Sequence, residues 1–236
     1  MSGGVALVTG AGSGIGQAVA DSLAAAGYTV VCAGRRLARV AETAEAIRAR
    51  GGAATAVALD VTVAERVDAV IGDVAAEHGR LDVLVNNAGV FRKGEVLELS
   101  EDAWRETIEA NLTGAFLCAR AAARLMTAQE PVAGKRGQIV NVNSGAGLRG
   151  YPTGAAYSAS KFGLLGLSDT LRAELAGHLV KVTDLVVAAM VESELSTRRD
   201  VTRLPATVVG DLVRNLLALE GPAVVTRLDL GQLPLR

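Results

Sequence analysis

The hydrophobic positions along this chain form short continuous runs that alternate with longer stretches of helical periodicity. The short runs are rich in β-branched residues, which is typical of parallel strands buried on both faces. We predict strands at residues 5–8, 29–33, 54–59, 81–85, 138–142, 182–187 and 223–228. The helical stretches predict helices at residues 15–26, 37–50, 64–77, 101–128, 155–176 and 206–219.

This alternation of strands and helices defines the predicted fold class. Repeated strand–helix–strand units with right-handed crossovers give an α/β protein, a doubly wound parallel sheet of about seven strands with helices on both faces. Ser100, followed by Glu101 and Asp102, predicts the capped and acidic start of the fourth helix. No linker or low-complexity tract divides the sequence, so we predict one domain over residues 1–236.

Composition and charge restrict the class of protein further. Of 236 residues, 50% are hydrophobic and 21% are charged, as in a globular protein rather than a disordered one. The net charge of −1 gives no basic excess for a nucleic-acid or anionic-membrane partner, and neither is expected. The two histidines show no metal-ligand spacing, so no metal is expected.

The cysteines and the apolar runs predict the compartment. Cys32 and Cys118 both lie in apolar stretches and are expected to be buried free thiols, which fits a reducing compartment. No apolar run approaches the ~18 residues of a membrane span. The first residues enter a strand directly, without the basic segment of a signal peptide. We therefore expect a cytoplasmic protein.

A glycine-rich turn follows the first predicted strand, where residues 9–16 read TGAGSGIG. Glycine permits positive φ angles and lets the backbone approach a pyrophosphate closely. The helix that begins here presents free N–H groups and a positive dipole end to phosphates, while Gly16 would let the helix pack on the strand. We interpret the turn as a phosphate cradle, with a merely tight strand-to-helix turn as the alternative.

Four further motifs follow the glycine turn in a fixed order, and together they carry a resemblance. The motifs are NNAG at residues 86–89, Asn111 in the long fourth helix, Ser144 after the fifth strand, and Tyr157 four positions before Lys161. With the spacing T-G-x-x-x-G-x-G, the chain resembles the short-chain dehydrogenase/reductase family over nearly its whole length. The resemblance implies a Rossmann-type fold and an NAD(P)-dependent oxidoreductase acting on a small carbonyl or secondary-alcohol substrate. It also implies a homodimer or homotetramer formed through the long fourth and fifth helices.

The resemblance assigns roles to the residues of these motifs. Ser144 would hydrogen-bond the substrate oxygen, Tyr157 would exchange a proton with it, and Lys161 would hold the nicotinamide ribose. Asn111 would hold a water that links the lysine to solvent. The implied cofactor-binding residues are Gly10, Ser13, Gly14, Ile15, Gly16, Arg35, Arg36, Asp60, Val61, Asn87, Ala88, Gly89, Tyr157, Lys161, Val191 and Ser193.

The spacing of Tyr157 and Lys161 has a chemical reason of its own. Residues four apart share one face of a helix. A free tyrosine has a pKa near 10, and a nearby ammonium, together with the positive nicotinamide of an oxidised cofactor, favours the phenolate. We therefore expect the pKa of Tyr157 to be lowered, which would suit proton exchange with a ketone or alcohol oxygen.

The end of the second strand predicts which cofactor is used. An acid at this position bonds the ribose 2′-hydroxyl in NAD-dependent proteins, but Gly34 stands here and is followed by Arg35 and Arg36. We therefore expect NADP(H) to be favoured over NAD(H), because guanidinium groups can clamp a 2′-phosphate. The alternative is a solvated basic patch that includes Arg39 and accepts either cofactor. The resemblance places Asp60 at the adenine of the cofactor. From its residue type and position alone, Asp60 is equally a helix cap.

The chain departs from the family pattern after the sixth strand. Ala188 and Ala189 stand where the family has Pro-Gly, and Ser193 takes the place of a threonine that bonds the carboxamide. Asn143 precedes Ser144 where serine is common. The alanines leave open an alternative, a dinucleotide-binding protein with narrowed or lost catalysis.

We expect a short substrate lid near residues 190–205. This segment is basic, and we expect one of its arginines to bind a carboxylate or phosphate of the substrate. The alternative is that the segment is only a polar surface loop. Its polar residues are Thr197, Arg198, Arg199, Asp200 and Arg203. The other predicted pocket residues are Phe91, Gly145, Leu148 and Tyr151.

Overall fold

The computed structural model describes residues 3–189, 191–192 and 203–232. Seven parallel strands form one sheet in the order β3-β2-β1-β4-β5-β6-β7, which confirms the predicted Rossmann-type architecture. The strands are β1 (Val5–Thr9), β2 (Thr29–Gly34), β3 (Ala53–Ala58), β4 (Val83–Asn86), β5 (Gly137–Ser144), β6 (Val180–Val187) and β7 (Arg227–Leu230).

Helices cover both faces of the sheet. They are α1 (Gly14–Ala25), α2 (Leu37–Ala49), α3 (Ala64–His78), α4 (Glu101–Ile108), α5 (Gly114–Ala128), α6 (Ala155–Leu175) and α7 (Ala206–Leu217). One apolar core lies under α1, α2 and α7, and a second lies under α3 and α5. Among the described helices, none is both long and apolar enough to cross a membrane.

The alternation of side chains along β1 supplies both cores. Ala6 and Val8 belong to the first core, whereas Val5 and Leu7 belong to the second, and Ala6, Leu7 and Val8 are fully shielded from solvent. Because successive residues of a strand point to opposite faces, a strand covered on both sides must be apolar throughout. This explains the continuous apolar runs of the sequence.

The predicted helix at residues 101–128 is wrong in one respect, because it is interrupted. A π-helical segment, Glu109–Thr113, separates α4 from α5. It contains Asn111, whose side chain bonds the backbone of Val90, and Gly114 follows where a Cβ would lie 2.6 Å from Cγ2 of Val61. A wider turn at a functional position is a recognised use of π-helical geometry.

Two strand boundaries also differ from prediction. β4 begins at Val83 rather than at residue 81, because the N–H of Leu81 donates to Oε1 of Gln129 instead of joining the ladder. The last strand covers Arg227–Leu230 rather than residues 223–228. Its pairing with β6 begins only at Asp184, whose partner is Arg227.

The predicted start of α4 is confirmed, since Oγ of Ser100 accepts from the N–H of Ala103 at 3.2 Å.

The strand order creates a crevice at one edge of the sheet. The chain leaves β1 toward β2 and β3 on one side, then crosses to β4 on the other side of β1. In open α/β sheets, ligands bind outside the carboxyl ends of the strands at such a switch point. The glycine turn after β1 and the NNAG motif after β4 both lie here.

Candidate active site

The glycine turn has the geometry that its sequence requires. Gly10 and Gly14 have φ angles of +66° and +54°, a region that residues with a Cβ rarely adopt. A Cβ on Gly16 would lie 2.3 Å from the carbonyl oxygen of Gly10 and 2.4 Å from Nδ2 of Asn87. Gly16 thus lets α1 pack directly on the end of β1, as predicted.

Thr9 and Asn87 bind this turn to the loop after β4. Nδ2 of Asn87 donates to the carbonyl oxygens of Thr9 at 2.9 Å and Gly10 at 3.3 Å. Oγ1 of Thr9 accepts from the N–H groups of Asn87 and Ala88, each at 3.0 Å. Sequence reasoning missed Thr9 as a site residue, although a threonine that opens a glycine turn is the available signal. The Asn87 side chain therefore supports the glycine turn, and its predicted contact with the cofactor stays a prediction.

A cleft of about 670 Å³ opens over the glycine turn. At its base α1 begins, and Ser13 precedes it without bonding the first N–H groups through its side chain. Helix N-terminal N–H groups that lack a side-chain cap are suited to bind phosphate oxygens. Predicted residues on the cleft wall are Gly10, Ser13, Gly14, Ile15, Arg35, Arg36, Asp60, Val61, Asn87, Ala88 and Gly89.

The far wall of the cleft is basic. Gly34 ends β2, and Arg35, Arg36 and Arg39 follow it along the wall. Arg92 also lines the cleft and forms a bidentate pair with Glu106, with both nitrogen–oxygen distances at 2.6 Å. Sequence reasoning missed this pair, which joins residues 14 positions apart. Hydrogen bonds from Arg92 hold the pKa of Glu106 below its ordinary value, and the charge of Arg35 acts in the same direction.

Asp60 does not cap a helix, so that alternative is wrong. Its Oδ1 accepts from the N–H of Thr62 at 3.0 Å and from the hydroxyl of Thr62 at 2.7 Å. α3 begins later, after Val63, whose side chain makes no capping bond. Asp60 instead closes a local turn that holds its carboxylate at the cleft wall.

The Ser144, Tyr157 and Lys161 side chains meet at the carboxyl end of β5. Ser144 is the last residue of β5, and its Oγ accepts from the N–H of Ala146 at 3.2 Å. The Ser144 side chain is close enough to Tyr157 to act on the pKa of its phenol, which it lowers against the larger effect of burial. The Tyr157 ring packs against Phe91 with 5.2 Å between ring centroids and an interplanar angle of 67°. Because Phe91 also lines the cleft, the three side chains lie next to the predicted dinucleotide site.

Lys161 is buried beneath this cluster. Its Nζ donates to the carbonyl oxygen of Val142 at 2.8 Å. Burial lowers the pKa of Lys161 to about 8, while the negative charge of Asp184 acts in the opposite direction. A buried ammonium without a direct carboxylate partner is costly, which accounts for the direction of the shift.

In the chain alone the pKa of Tyr157 is not lowered, and the lowering expected with a bound oxidised cofactor stays a prediction. This pKa is raised above its ordinary value, because burial dominates over the effect of the Ser144 side chain, and Tyr151 adds a further increase. We expected the ammonium of Lys161 to lower it. In the chain alone, that ammonium bonds the backbone of β5, and Tyr157 therefore stays a phenol at neutral pH.

Asn111 is almost fully buried in the π-helical segment. Its Oδ1 accepts from the N–H of Val90 at 2.7 Å, and its Nδ2 donates to the carbonyl oxygen of Val90 and to Oγ of Ser160. Through Ser160, the Asn111 side chain therefore connects α6 to the loop that follows the NNAG motif. The predicted role of Asn111 in holding a water stays a prediction.

Other predicted residues are placed only in part. Val191 is buried in the first core and forms an isolated bridge with Leu204, and its predicted contact with the cofactor stays a prediction. Ser193 and the lid residues Thr197, Arg198, Arg199 and Asp200 lie outside the described residues, whereas Arg203 lies within them. Ala188 donates its N–H to the carbonyl oxygen of Leu230, so the chain follows β7 beyond the end of β6.

Tyr151 and Leu148 are 43% and 41% exposed and flank the Ser144–Tyr157 cluster from the segment before α6. Gly145 permits a close approach, since its Cβ would lie 3.1 Å from that of Ala188. Cys32 and Cys118 are buried free thiols, as predicted. Among the described residues, no group of three or more His, Cys, Asp or Glu side chains is arranged to hold a metal ion.

Fold and site together define a doubly wound dinucleotide-binding protein with a serine, a tyrosine and a lysine at the cleft. A sequence model described as "short chain dehydrogenase" matches residues 4–203. The chain belongs to the short-chain dehydrogenase family of oxidoreductases, which confirms the resemblance.

Relatives of known name agree with this assignment. The chain is 44% identical to a 3-oxoacyl-[acyl-carrier-protein] reductase of Synechocystis over 179 residues, 75% of this chain and 70% of the relative. A metagenomic short-chain oxidoreductase solved in complex with NADP is 35% identical, with a TM-score of 0.85 over 97% of this chain and 96% of the other.

A second solved structure is similar at lower identity. An alcohol dehydrogenase from the archaeon Thermococcus sibiricus, complexed with 5-hydroxy-NADP, is 28% identical, with a TM-score of 0.86 over 96% of this chain and 95% of the other. The similarity thus extends over nearly the whole fold.

Proposed function

We propose that this protein interconverts a small carbonyl compound and its secondary alcohol, with NADP(H) favoured over NAD(H). One observation carries the proposal. The side chains of Ser144, Tyr157 and Lys161 come together at the carboxyl end of β5, beside a cleft that combines an uncapped helix N-terminus with a basic wall. These are the groups that a dinucleotide and a reacting carbonyl oxygen require.

The residues present fit a nicotinamide dinucleotide. The positive φ angles at Gly10 and Gly14 open the turn so that the N–H groups at the start of α1 can bind the pyrophosphate. Asp60 and Val61 would contact the adenine, Ala88 and Gly89 would contact the neighbouring ribose, and Ser193 would bond the carboxamide. When bound, the cofactor supplies the hydride.

The chain supplies proton exchange and positioning. Ser144 donates a hydrogen bond to the carbonyl oxygen and orients it toward Tyr157. Tyr157, a phenol at neutral pH because its pKa is raised, donates its proton to that oxygen in the reducing direction. Lys161 contributes positive charge beneath the phenol and bonds the nicotinamide ribose, and Asn111 holds α6 in register.

The preference for NADP(H) rests on the basic wall. No carboxylate stands at Gly34 to repel a 2′-phosphate, and Arg35 and Arg36 line the cleft beyond it. NADP in the metagenomic relative and 5-hydroxy-NADP in the archaeal one support this choice. The alternative of narrowed or lost catalysis is not favoured, since the named relatives are oxidoreductases and Ser144, Tyr157, Lys161 and Asn111 are all present.

We further propose a homodimer or homotetramer formed through the predicted fourth and fifth helices, which correspond to α4 with α5 and to α6. Trp104 on α4 and Phe116 on α5 are 41% and 40% exposed, and the guanidinium of Arg120 stacks 5.1 Å from the Phe116 ring centroid. Large aromatic side chains with an arginine are enriched in protein interfaces. Analytical ultracentrifugation of the purified chain would measure the state, and a monomer would contradict it.

The experiment that tests the function is a substrate panel with both cofactors. Neutral ketones, keto acids and a 3-oxoacyl thioester are each offered with NADPH and with NADH, and oxidation of the cofactor is measured at 340 nm. We expect turnover of at least one ketone, with kcat/KM higher for NADPH. A panel in which neither cofactor is oxidised overturns the function, and equal use of both cofactors overturns the preference.

A further inference from the structure

Asn143 is the penultimate residue of β5, and only 2% of its surface is exposed. Its Oδ1 accepts from the backbone N–H of Ser144 at 2.8 Å. Its Nδ2 donates to the backbone carbonyl of Lys161 at 3.2 Å. One amide group therefore joins the strand end that carries the serine to the helical turn that carries the lysine.

We infer that Asn143 is a positioning residue of the active site, because its amide sets the separation between Ser144 on β5 and the Tyr157–Lys161 turn of α6. This inference rests on the proposed function, since it assigns Asn143 a part in the same reaction. Asn143 touches neither substrate nor cofactor in this role and acts through Ser144 and Lys161.

The neighbouring residue of β5 makes the attachment two-sided. The carbonyl oxygen of Val142 accepts from Nζ of Lys161 at 2.8 Å, so consecutive residues of the strand bind both ends of the same lysine. Val142 binds the charged tip, and Asn143 binds the main chain. A shift of Lys161 along or around the axis of α6, relative to Ser144, would break one of these two bonds.

A buried carboxylate lies on the other side of the Asn143 side chain. Asp184 on β6 is fully buried, which raises its pKa, and the Asn143 amide is among the groups that act in the opposite direction. The carboxylate of Asp184 accepts from Oγ of Ser168 at 2.7 Å and from Nη1 of Arg172 at 3.0 Å. Because Ser144 offers an N–H and Lys161 offers a carbonyl oxygen, the Asn143 amide has one orientation.

The space around Asn143 is fitted to its size. A Cβ on Gly147 would lie 2.7 Å from Oδ1 of Asn143 and 2.8 Å from the carbonyl oxygen of Lys161. The short helical segment Gly145–Gly147 thus closes over the bond between Asn143 and Lys161, and glycine is required for that approach. A planar amide is the side chain here that offers an acceptor to one partner and a donor to the other.

Displacing a catalytic group by about 1 Å can cost roughly 100-fold in rate, even when the change lies outside the reacting atoms. Without the Asn143 amide, the Ser144 N–H and the Lys161 carbonyl lose their common partner, and the serine hydroxyl is free to shift relative to the phenol of Tyr157. We therefore expect the loss to appear in kcat and only weakly in the KM for NADPH.

Asn141 provides a matched control. It lies two residues earlier on the same strand and face, is fully buried, and bonds Asn86 at 2.9 Å and Ser168 at 2.8 Å; among the described residues it makes no hydrogen bond to Ser144, Tyr157 or Lys161. Asn143→Ala and Asn141→Ala remove the same group from the same interior. Both variants should lower the melting temperature. A loss of kcat that occurs only in Asn143→Ala therefore reports positioning and not stability.

The test is a double-mutant cycle with Ser144→Ala, assayed with NADPH and the best ketone of the panel. We expect Asn143→Ala to lower kcat by about 10- to 100-fold in the wild-type background but by less than about threefold in the Ser144→Ala background. Asn141→Ala should change kcat by less than about threefold. Asn143→Ser, which can replace one of the two bonds, should recover part of the lost kcat.

Two results would overturn the inference. One is an Asn143→Ala loss that matches that of Asn141→Ala and follows the melting temperature. The other is full additivity with Ser144→Ala. If the wild-type enzyme is active and either result is found, only the positioning role of Asn143 is overturned. If the wild type turns over no compound of the panel, the proposed function is overturned as well.

Discussion

Nζ of Lys161 lies 5.7 Å from the centroid of the Tyr157 ring, one helical turn along α6. The two side chains share a face, as their spacing predicts, but the ammonium donates to the backbone of Val142 and not to the phenol. In the chain alone, burial is the largest cause of the shift in the pKa of Tyr157, and it raises that pKa.

Replacing Tyr157 with phenylalanine removes the proposed proton donor and keeps the ring against Phe91. We expect kcat to fall by about 10²- to 10⁴-fold, the usual contribution of general acid catalysis. The Kd for NADPH should stay within about threefold of the wild-type value, because the hydroxyl contributes little of the total binding. Steady-state kinetics and quenching of NADPH fluorescence measure the two quantities. Near wild-type turnover would show that another group donates the proton.

The buried ammonium of Lys161 predicts how stability depends on pH. Its pKa is lowered from 10.5 to about 8 in the folded chain. Between these values the unfolded chain binds the proton and the folded chain does not, so stability rises with pH in this interval. Below pH 8 the cost of burying the charge is present in full.

Lys161→Met removes this titration and isolates its contribution. Relative to the variant, the wild type should gain on the order of 2–3 kcal/mol of unfolding free energy between pH 7 and pH 10.5, at about 1.4 kcal/mol for each unit of pKa difference. Urea unfolding of both proteins at the two pH values measures this difference. An equal response of the two proteins to pH would mean that the lysine titrates normally in the folded state.

Local signals predicted the fold and the glycine turn well. The inner strands β1, β2 and β4 are mainly apolar runs, and the TGAGSGIG sequence specifies its own φ angles. The errors lie where distant contacts decide the outcome. The π-helical segment depends on bonds from Asn111 to Val90 and Ser160, which are 21 and 49 positions away.

The chemistry of the site was less accessible from the sequence. The pKa of Tyr157 depends on burial by the whole fold, which the spacing to Lys161 does not encode. The bonds that hold the buried Asp184 on β6 come from Ser168 and Arg172 on α6, and the only local signal was an acidic residue inside an apolar strand. Asn143 itself was noted only as a departure from the common serine.

Gly34→Asp should reverse the cofactor preference. A Cβ at this position lies 3.0 Å from Cγ1 of Val40, which a small side-chain shift can accommodate. The new carboxylate would repel a 2′-phosphate and accept hydrogen bonds from a ribose diol. We expect the ratio of kcat/KM for NADPH to that for NADH to fall by about tenfold or more, since about 1.4 kcal/mol suffices. Gly72→Asp on α3 adds the same charge away from the cleft and should leave the ratio unchanged.

Gly16→Ala tests the contact between α1 and the end of β1. Its Cβ would meet the carbonyl oxygen of Gly10 at 2.3 Å, and backbone atoms cannot move aside without displacing the turn. We expect a loss of about 1–3 kcal/mol in unfolding free energy, as for overpacked cores, and a Kd for NADPH weakened by roughly tenfold or more because the phosphate cradle shifts.

Gly72→Ala is the control for this substitution, because its Cβ meets nothing within 4 Å inside α3. It should stabilise the protein by about 0.5–1 kcal/mol through helix propensity alone and leave the Kd for NADPH unchanged. Denaturant unfolding and fluorescence titration of both variants measure these effects. If Gly16→Ala bound NADPH as the wild type does, the close approach of α1 to the glycine turn would not be needed for cofactor binding.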